Sequence, residues 1–203
     1  MDLMKAIAKD QGFKVEFESL EFDALIPALK SDSTDIVIAG MNVTPERAKQ
    51  VAFSDPYYKT GIVVLVKKDN TTISGWDSFT SGSGLKVAVQ TGTSQADIAE
   101  QLKKEGKISK VTILNQNTTA LQQLENGDID AVLVDKPVAV DIVASKGEKY
   151  KVVGDMKADS VADVAIAVKT DNKDLLKKIN KGLKNLKENG TYDKLAKKWK
   201  IEQ

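Results

Sequence analysis

Arg47 stands just past a short apolar run, where a guanidinium could grip a carboxylate through two parallel hydrogen bonds. The run Asp35-Ile36-Val37-Ile38-Ala39 reads as a buried strand, because it is short, branched and bounded by polar residues. It stops at Gly40, whose missing side chain lets a ligand or another backbone come close. Met41, Asn42 and Val43 lead to Thr44, an N-cap by type, and Pro45 suits the first helical position. Glu46 favours the positive end of that short helix, and Arg47 follows it. Open α/β sheets bind their ligands at such a place, beyond the carboxyl ends of strands. The plainer reading is a solvated arginine in an ordinary strand-to-helix turn.

Two later turns share this grammar. Leu85-Lys86-Val87-Ala88-Val89 reads as a strand running into Gln90-Thr91-Gly92-Thr93-Ser94, with Ser94 and Asp97 spaced as a capping box. Gly92 loosens that turn, so the amides of Thr93 and Ser94 can meet an anion at the helix start. Plain N-capping is the simpler account of the same residues. Asp130-Ala131-Val132-Leu133-Val134-Asp135 is an apolar strand that ends in an acid, and Lys136-Pro137 opens the next helix. Asp135 is therefore either that helix's N-cap or a carboxylate offered to an ammonium group.

Composition narrows the chemistry. The 203 residues exceed one average domain, and their 41% hydrophobic share is enough for two compact lobes. Charge is nearly balanced at net +1, which argues against nucleic acid or another polyanion as partner. There is no Cys and no His, so disulfides, thiolate metal sites and the commonest general base are all missing. No metal-ligand cluster, phosphate-binding loop or apolar run of membrane-spanning length occurs, and no cofactor is implied.

The elements that must position these turns follow in order. A helix over 1–9 carries Leu3, Met4, Ile7 and Ala8 on one stripe and stops at Gly12. Residues 13–17 alternate as a half-buried strand, and a helix covers roughly 22–30. The opening thus reads α-β-α-β, a parallel-sheet signature. Gly61-Ile62-Val63-Val64-Leu65-Val66 is a strand apolar enough to cross between lobes, and Val164-Ala165-Ile166-Ala167-Val168 suits the return. Ser81-Gly82-Ser83-Gly84 is flexible by composition. A strand at 111–114, a helix capped by Asn117 or Thr118 and a strand at 150–153 lie between. Two amphipathic, Lys-rich helices close the chain.

Taken together, four segments resemble the polar amino-acid-binding proteins of bacterial ABC importers, glutamine- or arginine-binding ones above all. They are Ala39-Gly40-Met41-Asn42-Val43-Thr44-Pro45-Glu46-Arg47, Phe53-Ser54-Asp55-Pro56-Tyr57-Tyr58, Val89-Gln90-Thr91-Gly92-Thr93-Ser94 and Ala131-Val132-Leu133-Val134-Asp135. Leu186-Lys187-Glu188-Asn189-Gly190-Thr191-Tyr192 adds a fifth, and the match spans the chain in the family's order. The resemblance implies an α/β, two-lobed type II periplasmic-binding-protein fold with two hinge strands. Residues 1–63 and 165–203 would form the first lobe and 64–164 the second. A free polar or basic L-amino acid, glutamine or arginine favoured, would bind between them. By position, Arg47 would hold its carboxylate together with the amides of Thr93 and Ser94, and Asp135 would take its ammonium. The Gly40 carbonyl and Asn42, with Met41 between them, would help hold the ammonium. Phe22 would stack on the side chain, with Gln90 beside it. A buried zwitterion needs both charges answered, which agrees with this assignment.

The same resemblance implies delivery to the membrane subunits of an importer, in the periplasm or outside the cell, with the signal segment outside this chain. It also implies that the first lobe lacks its leading strand, the one between the 14–18 and 35–39 strands. Open strand edges there would invite a second copy into a homo-oligomer. Two rivals share the fold: an amino-acid sensor domain, and a cyclohexadienyl or arogenate dehydratase-like enzyme. No general acid is evident for the latter, so a binding protein with no catalytic residue is the expectation.

Overall fold

The computed structural model describes residues 1–81 and 84–199, so Gly82 and Ser83 of the expected flexible loop lie outside the described residues. The chain divides into two compact units. One comprises Met1–Leu20, Ala24–Lys59 and Ala162–Gln203; the other comprises Glu21–Asp23 and Thr60–Val161. The main crossings between these units fall at 59/60 and 161/162.

In the first unit, α1 (Asp2–Gln11) buries Met4, Ile7 and Ala8, and Gly12 ends it in the left-handed conformation. Residues 22–24 form one 3-10 turn leading into α2 (Leu25–Lys30). Strand β1 (Ile36–Val37) precedes the short helix α3 (Pro45–Ala48) and strand β2 (Ala52–Phe53). The return segment is not one strand but two, β9 (Ala162–Val164) and β10 (Ala167–Val168). The break between them has a cause. Ser54 donates its amide to Ile166 O at 2.8 Å and accepts the Ile166 amide on its hydroxyl at 3.0 Å. The Ala165 amide goes to Met41 O at 3.3 Å.

The first unit's sheet has the order β1-β10-β2 and is antiparallel, not the parallel sheet read from the opening. Residues 13–17 form no strand. Their alternation is real, since Phe13 and Val15 are half-buried against the apolar cluster while Lys14 and Glu16 are exposed. A ladder also needs a neighbour, and among the described residues β1 pairs with β10 alone. The core of this unit gathers Met4 and Ile7 of α1, Ile166 and Val168, and Ile179, Leu183 and Leu186 of α8 (Lys173–Glu188). Gly182 brings α8 hard against α1, because a Cβ there would lie 2.8 Å from Ile7 Cγ2. Helix α9 (Thr191–Lys198) follows.

Strand β3 (Tyr58–Thr60) pairs with β9 where the chain leaves and re-enters this unit. The second unit is built on a five-stranded sheet, in which β4 (Ile62–Lys67) is central to the packing. Around it lie α4 (Trp76–Ser81), β5 (Lys86–Gln90), α5 (Ser94–Lys104) and β6 (Lys110–Leu114). Then come α6 (Asn117–Asn126), β7 (Ala131–Asp135), α7 (Lys136–Lys146) and β8 (Tyr150–Val153). The strand order is β6-β5-β7-β4-β8, with β5 parallel to both β6 and β7 and β4 antiparallel to β7 and β8. Both faces are covered, so the strands read as continuous apolar runs. On β4, Val64 and Val66 enter one apolar cluster while Val63 and Leu65 enter the other. Among the described residues no helix is long and apolar enough to cross a membrane.

Candidate functional site

In the first unit the expected residues converge on one turn. Gly40 has φ 67°, a conformation that L side chains rarely adopt, and its amide donates to the Tyr57 hydroxyl. Asn42 is buried and bridges Val164 on β9. Thr44 caps α3 as its type predicts, its hydroxyl accepting the Arg47 amide at 3.2 Å, with Pro45 in the first turn. The Arg47 guanidinium then donates through Nη1 to Asn42 O at 2.8 Å. That bond fixes the side chain of Arg47 to the loop that precedes its own helix. Met41 is 1% exposed, so its side chain serves the core and only its backbone could serve a site.

In the second unit two turns leave the carboxyl ends of neighbouring parallel strands, β5 at Gln90 and β7 at Asp135. The cap of α5 is Thr93, one residue before the expected Ser94: its hydroxyl accepts the Ala96 amide at 3.3 Å and donates to Gln90 O at 2.7 Å. Gly92, at φ 73°, turns the chain early enough for Thr93 to be extended, as an N-cap must be. The amides of Thr93 and Ser94 then belong to the start of α5, where anions are favoured. Asp135 occupies the N-cap position of α7, with Pro137 in the first turn, yet its carboxylate makes no capping bond to the helix.

Glu21, Asp23 and Gln116, which the sequence did not single out, join this second group together with the expected Phe22. Glu21–Asp23 cluster with the second unit although both flanking segments belong to the first. Gln116 holds the N-cap position of α6 instead of Asn117 or Thr118 and makes no side-chain cap bond; its Nε2 donates to Glu21 Oε1 at 2.9 Å. Asn117 reaches Gln90 Oε1 at 3.5 Å, and Gln90 Nε2 donates to Asn115 O at 2.9 Å. Phe22 thus lies between Glu21, tied to Gln116, and Asp23, packed on Gly92. Nothing in the local sequence pattern flagged these contacts, since they join positions about 70 and 95 residues apart. A cavity of about 460 Å³ lined by Lys67, Lys68, Asp69, Glu125, Glu148 and Lys149 contains none of the expected site residues. Among the described residues no group of acids could hold a metal ion.

The family follows from comparison. The model of the bacterial extracellular solute-binding proteins, family 3, matches residues 1–202, and this chain belongs to that family. The arginine-binding extracellular protein ArtP of Bacillus subtilis is 37% identical over 200 residues, covering 98% of this chain and 76% of ArtP. An ancestral arginine-binding protein solved with arginine is 42% identical with a TM-score of 0.88, covering 98% of this chain and 85% of that one. Its glutamine-bound structure gives 42% and 0.89, with coverage of 99% and 86%. An ancestral amino-acid-binding protein, AncCDT-1, described as a precursor of cyclohexadienyl dehydratase, is 39% identical with a TM-score of 0.87, covering 99% and 84%. The two-lobed α/β fold expected from the sequence is the fold of these relatives.

Proposed function

We propose that this chain captures a free basic or polar L-amino acid, arginine first and glutamine second, outside the cytoplasm for the membrane subunits of an ABC importer. In this reading Arg47 takes the ligand carboxylate with the amides of Thr93 and Ser94. Asp135 takes the ammonium, helped by the Gly40 carbonyl and Asn42, and Phe22 and Gln90 meet the side chain. The observation that carries it is the placing of Gln90 and Asp135 at the carboxyl ends of the neighbouring parallel strands β5 and β7, where open sheets bind ligands. Arginine and glutamine come from the relatives, which are arginine-binding by name and solved with either ligand.

Calorimetric titration against a panel of amino acids tests the reading, with Arg47→Lys as the control variant. Lysine keeps the charge but loses the planar fork, so affinity should fall about tenfold or more. A folded chain that takes none of the panel would end the proposal. Descent of a dehydratase from AncCDT-1 keeps an enzyme as the second reading. Conversion of prephenate to phenylpyruvate by the purified chain would favour it.

A further inference from the structure

Resting on the amino-acid-binding reading, we infer that Glu21 supplies the negative charge by which the site selects a cationic ligand side chain. Two contacts fix the segment that carries it, and a third joins the two turns that receive it. Gln116 Nε2 holds Glu21 Oε1 at 2.9 Å. Asp23 packs so closely on the next turn that a Cβ on Gly92 would lie 3.0 Å from its Cβ and 3.2 Å from its Cα. The third contact joins the two turns to each other, Asn117 Nδ2 to Gln90 Oε1 at 3.5 Å. Glu21 and Phe22 are thereby anchored beside Gln90 and Asn117, all within the second unit.

The chemistry of this cluster is lopsided toward acceptors. Asn117 Oδ1 is buried and has no hydrogen-bond partner among the described residues. Gln90 spends its amide N–H on Asn115 O, which leaves its oxygen as the group it presents to Asn117. Glu21 adds a carboxylate, and Phe22 adds an aromatic face. A guanidinium brings five donors and no acceptor, pairs with a carboxylate through its fork and stacks on aromatic rings. A neutral amide side chain could use Gln90 and Asn117 but would gain nothing from the charge on Glu21. The cluster therefore separates arginine from glutamine at one residue.

Glu21→Gln tests this, because it keeps the shape and a partner for Gln116 while removing the charge. The arginine dissociation constant should rise about tenfold to a hundredfold, and that for glutamine should stay within about threefold. Gln116→Ala, which frees the carboxylate without discharging it, should give a smaller loss in the same direction. Thermal unfolding of each variant checks that the fold is kept. Equal losses for both ligands, or an unchanged arginine-to-glutamine ratio, would overturn the inference while leaving the binding function intact. A wild-type chain that binds neither would overturn both.

Discussion

At Tyr57 a single phenol ties the glycine of the candidate turn to the core of its unit. Burial pushes this hydroxyl from 10.0 up to about 12; the amide of Gly40, donated to it, works the other way, and Tyr192 nearby adds to the rise. The folded chain therefore keeps a proton that the unfolded chain releases between those two values. Stability from this group is complete below pH 10, and it drains away as pH climbs toward 12. At its largest the effect is about 3 kcal/mol. Tyr57→Phe should make the alkaline fall in urea midpoint shallower, while costing about 1 kcal/mol at neutral pH for the lost acceptor of the Gly40 amide. An unchanged alkaline slope would show that the phenol does not titrate with folding. Arg47 makes the same point about local control: its amide is spent on Thr44 and its guanidinium is held by Asn42 O, so its position is set by the turn itself. Arg47 is legible from sequence because Thr44 and Asn42, which hold it, lie within five positions.

Elements were legible to the extent that they are local. The helices α1, α8 and α9 follow from their apolar stripes, with Gly12 stopping α1, and β4, β5 and β7 from apolar runs that sit in a two-sided core. What failed depended on distant partners. The alternation at 13–17 was correctly read as burial but not as a strand, since no ladder neighbour lies beside it among the described residues. The split of β9 from β10 is made by Ser54, more than a hundred residues earlier, and Gln116 at the start of α6 finds its partner in Glu21. The placing of Gly40, Asn42 and Arg47 on one turn is legible for the same reason, whereas Glu21 and Asn117 meet their partners only in the fold. Helix packing offers a direct check at this scale. Gly182→Leu would drive a side chain into Ile7 Cγ2, 2.8 Å from the new Cβ, and into Gln11 Cγ at 3.2 Å. Despite the helix propensity gained, the melting temperature should drop by an amount matching about 1–3 kcal/mol. A stabilised variant would mean that α1 and α8 can separate freely.

Across the whole molecule the two units are built to different standards. The second laminates a five-stranded sheet between two apolar clusters, while the first rests its helices on strands of two residues each. Amide exchange should follow that contrast, slowest at 62–67 and fastest at 14–20, where no ladder protects the backbone. Equal protection at both would contradict the pairing described here. The division also sets an order of assembly. Residues 60–161 leave the ribosome as one run and can close around their sheet before synthesis ends. Helix α1, made before residues 60–161, finds its partner α8 only when residues 173–188 have emerged, with Asp10 meeting Asn185 across 175 positions. Until then the apolar stripe of α1 lacks the helix it packs on, so that stripe is the surface a nascent chain of this design offers to chaperones.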